Sequence, residues 1–276
     1  MKVTKYFLFF LCFILLFGCS AKPAKNNILR SMAQLDQVYI PALMFAKLHK
    51  QKETKLALSR LRREWNNFHL KNYNLKIKYG VNIVDKFWQE DFDEISGLIV
   101  SAEQAAELND LDQIYVSLEK IRLVLLGIRS RNGLSYFLDP LNQFDQTLDK
   151  LKLELQGKDR LGDKDLKKLN VLREEAQRYL TVAASFEIGP ELFGFKPEKV
   201  SLINQRILQE QQALDTFEKA LSSLDHDDVF QAAQELTPNF IVLYKAFGDF
   251  QPVFDAIIKE RKHEEKNKQL AKTKSK

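Results

Sequence analysis

The chain is poor in the residues that interrupt helices and in those that bind metals or form disulfides. Its 276 residues include 10 glycines, 7 prolines, 2 cysteines, 3 methionines and 4 histidines. Two cysteines exclude a disulfide-rich scaffold. The few histidines and methionines leave little material for metal or haem ligation. The scarcity of glycine and proline favours long, uninterrupted helices.

Several motifs that carry chemistry are also missing. The sequence has no Cys-x-x-Cys-His segment for covalent haem, and it lacks the pair of Glu-x-x-His segments of a di-iron site. It has no Gly-x-Ser-x-Gly elbow and no phosphate-binding glycine loop. We therefore predict that the protein is not an enzyme, with no catalytic residue, no metal site and no cofactor.

The net charge of +5 belongs to the two ends of the chain. Residues 259–276 hold eight Lys or Arg against three Glu, and the first eighteen residues hold two Lys. Residues 19–258 are slightly acidic, with 32 Lys and Arg against 34 Asp and Glu. The basic isoelectric point therefore does not describe a positively charged binding face, and we predict no nucleic-acid partner.

The first nineteen residues have the layout of an export signal. Lys2 and Lys5 give a positive start, Tyr6 to Phe17 form an unbroken apolar run, and Gly18 precedes Cys19. This run is shorter than the roughly 20 apolar residues that a membrane-spanning helix needs.

The segment Leu16-Phe17-Gly18-Cys19 resembles the lipobox of bacterial lipoproteins. The resemblance implies a diacylglycerol on the Cys19 thiol, cleavage before it, and acylation, for example with palmitate, of the new amino terminus. Several acyl chains hold a protein stably at a bilayer, whereas one holds it only marginally. Ser20 implies, by the same resemblance, the periplasmic face of the outer membrane. An ordinary signal peptide or an uncleaved anchor is the alternative.

From residue 28 onward the apolar residues recur at spacings of three and four, which predicts one helix after another. Short polar breaks such as Asn109-Asp110 and Asn132-Gly133 are typical of turns between antiparallel helices. The segment 187–197 is the clearest loop. Pro41 and Pro238 fall inside predicted helices and predict bends there. The fold class that we predict is all-α, made of antiparallel helical hairpins.

An internal repeat supports this organisation. A shift of sixty residues places the apolar positions of the first hairpin on those of the second, with Arg62 on Arg122 and Asn72 on Asn132. A weaker third copy lies at a shift of 115, with Asp112 on Asp227. Because a hairpin cannot bury its apolar stripe alone, we predict that hairpins pair into two four-helix-type bundles. A stacked superhelix is the alternative.

We predict five segments: a lipoprotein signal peptide, a lipidated tether, two helical bundles and a basic flexible tail, at 1–18, 19–27, 28–135, 136–258 and 259–276. The bundles resemble four-helix-bundle cytochromes in architecture alone, without their haem motifs. A periplasmic bundle associated with metal or haem is therefore the alternative to the function that we favour.

One group of polar residues is a candidate ligand-binding site. It surrounds the end of a predicted helix and consists of Arg122, Arg129, Arg131, Asn132 and Tyr136, with Asp139 beside them. Arg122 and Arg129 are seven residues apart and so share a helix face. Such a group can hold an anionic ligand, or it can cap and cross-link helices.

The aromatic residues Phe186, Phe193 and Phe195 of the long loop are candidates for a ligand lid or a partner contact, or for packing on a bundle end. Taken together, these features predict a lipoprotein of the bacterial cell envelope. It would be attached to the bilayer through acylated Cys19 and would act as a non-catalytic binding or scaffold module. An envelope protein or a small ligand is the expected partner.

Overall fold

The computed structural model describes residues 21–75, 84–158, 160–223 and 225–274, which are helical and contain no strand. The leader, Cys19 included, lies outside these ranges. The ten helices within them are α1 (Ala21–Lys47), α2 (Gln51–Asn72), α3 (Trp88–Glu107), α4 (Leu111–Arg131), α5 (Leu138–Leu155), α6 (Asp163–Ser185), α7 (Pro190–Phe193), α8 (Pro197–Ser223), α9 (His226–Lys245) and α10 (Gln251–Lys274).

The helices pack as two four-helix bundles, so the predicted fold class is confirmed. In the first bundle each of α1 to α4 contacts its neighbour along the chain, and α4 returns to α1. In the second, α5 packs on α6, α6 on α8, α8 on α9, and α9 on α5. Short connections make α1 and α2, α3 and α4, α5 and α6, and α8 and α9 antiparallel hairpins, and these are the most closely packed pairs. Helix α1 also contacts α7 and α9, which joins the two bundles.

The sixty-residue repeat recurs in the backbone. Helices α1 and α3 end, and α2 and α4 begin, sixty residues apart. At the turns, His49 and Asn109 both have a left-handed backbone, with φ of 52° and 60°. The N–H of Lys50 and that of Asp110 each donate to the carbonyl five residues earlier, at 2.9 Å. The two hairpins therefore share one kind of helix-ending turn.

Pro41 lies inside α1 without breaking it, and the backbone carbonyl that it leaves unpaired in the helix makes a contact with another segment. A proline at this position cannot donate to the carbonyl of Gln37 four residues earlier. That carbonyl accepts instead from the backbone N–H of Asp249 at 2.7 Å. Gly248 is needed for the approach, because an added Cβ would lie 3.0 Å from Pro41 and 2.7 Å from Phe250. The turn before α10 is thus fixed to α1.

One continuous apolar core runs through both bundles, and its largest fully buried side chains include Trp65, Trp88, Phe144 and Phe217. Helix α10 packs on α2 and continues through the basic region to Lys274, where the sequence suggested a flexible tail. The side chains of residues 259–267 are exposed along it.

Candidate functional site

The two bundles meet across a layer of buried polar side chains, which we call the inter-bundle interface. Its members come from α1, α4, the segment that joins α4 to α5, and the first half of α5, and their neighbours are otherwise apolar. They are Asp36, Lys47, Glu119, Arg122, Arg129, Tyr136, Asp139, Asn142 and Asp145.

Arg129 is the centre of one half of this interface. Its guanidinium donates to both carboxylate oxygens of Asp139, from Nε at 2.9 and 3.0 Å, and lies 4.7 Å from the ring centre of Tyr136. The Tyr136 hydroxyl in turn donates to Asp36 at 2.5 Å. This chain of contacts links α4 to α5 and reaches back to α1. Its geometry is that of a paired, cross-linking arginine.

Arg122 is the centre of the other half. It donates to Asp145 of α5 at 2.9 Å and also pairs with Glu119 of its own helix. Lys47, at the end of α1, donates to the second oxygen of Asp145 at 3.0 Å. Close by, the Tyr244 hydroxyl donates to Asn142 at 2.7 Å. Asp145 is therefore shared by two cations from two different helices.

The pairing in this interface is incomplete. Among the described residues, Glu119 Oε1, Arg122 Nε and Arg129 Nη1 find no hydrogen-bond partner although they are buried. Burial raises the pKa of Asp36 to about 6, although Arg129 and the hydroxyl of Tyr136 oppose the rise. Burial also raises the pKa of Glu119 and of Asp139. The interface thus contains carboxyl groups that protonate more easily than exposed ones.

The five residues of the candidate ligand site divide between two places. Arg122, Arg129 and Tyr136 lie in the inter-bundle interface. Arg131 instead donates from Nε to Asp85 at 2.7 Å and pairs with Asp91. Asn132 accepts from the backbone N–H of Asp85 at 2.7 Å and donates to the carbonyl of Ile128. These two residues therefore hold the end of α4 against the segment that precedes α3.

Some members of the interface were not found by sequence reasoning. Asp36 and Asp145 lie on the apolar stripes of α1 and α5, where a carboxylate stands out among Leu35, Tyr39, Phe144 and similar neighbours. A charged residue at a stripe position is the available signal. It does not tell which cation on another helix will meet the charge.

A second candidate site, the Phe193 pocket, lies where the long loop meets α1 and the turn before α10. It is a cavity of about 340 Å³ lined by Gln37, Phe193, Gly194, Phe195, Lys196, Lys199, Phe247, Gly248 and Asp249. The positive φ of Gly194 turns the chain between the first two phenylalanines. Phe193 and Phe195, singled out from the sequence, are both buried here, and Phe186 contacts Phe137 nearby.

The histidines of the described ranges are far from forming a common site. His49 lies exposed in a turn beside Asp112, and His263 is exposed on α10. His69 stacks on Tyr73 with ring centres 4.4 Å apart. His226 accepts from the backbone N–H of Leu161 at 3.2 Å. Within these ranges no three His, Cys, Asp or Glu side chains are placed to hold a metal ion.

Comparison with protein-family models, with curated proteins and with solved structures gives no match. Among the described residues, no helix combines the length and apolar character that crossing a membrane requires. The functional interpretation therefore depends on the leader sequence and on the geometry of the two candidate sites.

Proposed function

We propose that this chain is a lipid-anchored protein of the bacterial cell envelope, attached through acylated Cys19, because the segment from Leu16 to Cys19 resembles a lipobox. The observation that carries the proposal is the basic start, the apolar run and the cysteine that follows Gly18. Helix α1 begins at Ala21, so the anchor would hold the bundles close to the bilayer. Ser20 favours the periplasmic face of the outer membrane.

The helical bundles, in this proposal, bind a small ligand or an envelope protein and catalyse no reaction. The buried arginines support a structural role, because Arg122 and Arg129 are engaged by carboxylates of the chain itself. A rigid double bundle suits a binding or scaffold module that presents a fixed surface. The Phe193 pocket is the ligand site that this proposal favours.

Metabolic labelling with palmitate tests the anchor. We expect the wild-type chain to carry the label and the Cys19→Ala variant to carry none. The variant should also move from the membrane fraction to the soluble fraction. Cys12→Ala is the matched control, because Cys12 lies in the segment that cleavage removes, and it should retain the label. An unlabelled wild-type chain whose fractionation does not change in Cys19→Ala would refute the anchor.

A further inference from the structure

The Phe193 pocket has aromatic walls. The rings of Phe193 and Phe195 are stacked with centres 5.1 Å apart, and Phe247 lies 5.5 Å from the first and 5.8 Å from the second. All three side chains are buried by neighbouring helices. A cavity of about 340 Å³ beside such rings has the size and the lining of a small-molecule site. A flat apolar ligand gains most from contact with these faces.

The charges of the pocket are predominantly positive. Lys199 places its ammonium 3.9 Å from the ring centre of Phe195, and Lys196 lines the same cavity. Within the described ranges neither lysine has a carboxylate within ion-pair distance. The one carboxylate in the lining, Asp249, faces Arg60 at 3.6 Å. Asp249 also attracts Lys199 electrostatically and opposes the fall of its pKa. The lining nevertheless holds two lysines against this one carboxylate, which leaves an excess of positive charge for an incoming anion.

The position of Lys199 makes an anion more valuable there than at an open surface. The side chain is half-buried against the aromatic wall, and burial lowers the pKa of its ammonium group. An anion placed beside this cation would stabilise the charged form and replace the water that burial removed. Attraction between opposite charges is also stronger at a partly desolvated site than in bulk water.

The pocket is also held in shape without a ligand. The amide of Gln37 donates to the carbonyl of Phe193 at 3.4 Å, and the N–H of Asp249 donates to the carbonyl of Gln37 at 2.7 Å. Gly248 lets this turn approach Pro41 closely. The lining residues from the loop and from the turn before α10 are thus tied to the same stretch of α1. A preformed site loses less conformational entropy on binding.

We infer that the Phe193 pocket binds a small aromatic anion, its ring against Phe193, Phe195 and Phe247 and its charge against Lys196 and Lys199. This inference rests on the proposed role as a binding module and names its ligand class. It does not depend on the lipid anchor, because the pocket lies in the helical part of the chain.

Equilibrium dialysis of the full chain in lipid nanodiscs, with empty nanodiscs as the blank, tests the inference with 2-naphthoate as the probe. We expect saturable binding at one site. The uncharged 2-naphthamide, which has the same ring system, should bind at least about tenfold more weakly because it cannot pair with the lysines. Acetate, which has the charge without the ring, should not compete.

Variants locate the site. Lys199→Met should weaken naphthoate binding by about tenfold or more and leave naphthamide binding unchanged. Phe195→Leu should weaken both probes. Lys164→Met removes an exposed lysine of α6 and is the matched control, with no expected effect. Far-ultraviolet circular dichroism of each variant checks that the fold is intact.

Three results would overturn the inference: no saturable binding of naphthoate, equal affinities for naphthoate and naphthamide, or unchanged naphthoate binding in folded Lys199→Met. The Cys19→Ala chain should bind naphthoate like the wild type. Failure of the anchor and failure of the pocket are therefore distinguishable, because one abolishes palmitate labelling and the other abolishes naphthoate binding.

Discussion

Two interiors of this molecule treat buried charge in opposite ways. In the inter-bundle interface, Arg129 is only 2% exposed and meets Asp139, while Arg122 meets Asp145. In the second bundle, Glu210 is fully buried on the stripe of α8, and neither of its carboxyl oxygens has a hydrogen-bond partner in the part of the chain that the structure describes. Burial alone raises the pKa of Glu210 to about 9.

The two interiors differ in what a buried polar group contributes to the fold. A paired charge in the interface can fix how the two bundles meet, since a shifted arrangement would leave a cation or a carboxylate buried alone. Glu210 cannot do this, because no polar group of the described residues pairs with its carboxyl group. At neutral pH it avoids the cost of a buried charge only by staying protonated. Because the unfolded chain has released this proton at the same pH, keeping it bound lowers the free energy of unfolding.

Loss of a paired cation is the largest expected effect. Arg129→Met leaves Asp139 and Asp36 buried without their main positive partner, and we expect the free energy of unfolding to fall by about 3–5 kcal/mol. Urea denaturation followed by circular dichroism measures it. Lys52→Met is the control, because its ion pair with Glu260 is exposed at the surface and should matter little. If the free energy of unfolding fell equally in the two variants, the buried ion pair would contribute no more to stability than the exposed one.

Replacement of the unpartnered carboxyl should act in the opposite direction. At pH 7 the folded chain holds a proton on Glu210 that the unfolded chain has released, so Glu210→Leu should raise the free energy of unfolding by about 3 kcal/mol. Because the pKa is raised in the folded state, the wild type loses stability as pH rises from about 4.5 toward 9.

Glu210→Gln keeps the shape and removes the titration, and it serves as the matched variant. Its stability advantage over the wild type should grow with pH across that whole window, while the gain at pH 7 stays below that of Glu210→Leu because the amide is also unpartnered. A destabilised Glu210→Leu, or a difference that does not change with pH, would mean that Glu210 has a partner in solution.

Much of the fold follows from local sequence. Helix α4 lies between the two predicted breaks, Asn109-Asp110 and Asn132-Gly133, because capping residues and apolar spacing act within a few positions. Asp225 accepts from the N–H groups of Asp227 and Asp228 and caps α9, which is the same local chemistry. The short helix α7 was not predicted, since four residues carry no periodic signal.

The candidate sites were less predictable, because they depend on contacts between distant residues. Arg129 and Asp139 are ten residues apart and could be grouped from the sequence, but Tyr136 meets Asp36 across a separation of 100 residues. Phe193 could be singled out in its loop, whereas its neighbour Phe247 arrives from another turn. Glu210 follows the spacing of Ile207 and Leu214, where a carboxylate contradicts the pattern and no local rule supplies a partner.

The smallest expected effect comes from Asp36. This carboxyl group is buried like that of Glu210, but it has Tyr136 and Arg129 nearby, as a paired group of the interface does. Its pKa of about 6 lies above the ordinary value of 3.8, so the folded chain keeps a proton between these values that the unfolded chain has released. Wild-type stability should therefore fall as pH rises from about 4 to about 6 and then level off.

Asp36→Asn removes this titration while keeping an acceptor for the Tyr136 hydroxyl. We expect equal stability at pH 4 and a gain of about 2 kcal/mol above pH 7, less than the pKa difference alone would give because the new amide N–H groups need acceptors. Tyr136→Phe should raise the pKa of Asp36 further, because the carboxylate loses a hydrogen-bond donor. The pH at which stability stops falling should therefore increase. If the difference between Asp36→Asn and wild type kept growing toward pH 9, as expected for Glu210, the partners of Asp36 would have no influence on its proton. The paired interface and the unpartnered Glu210 would then not differ in how they hold a buried proton.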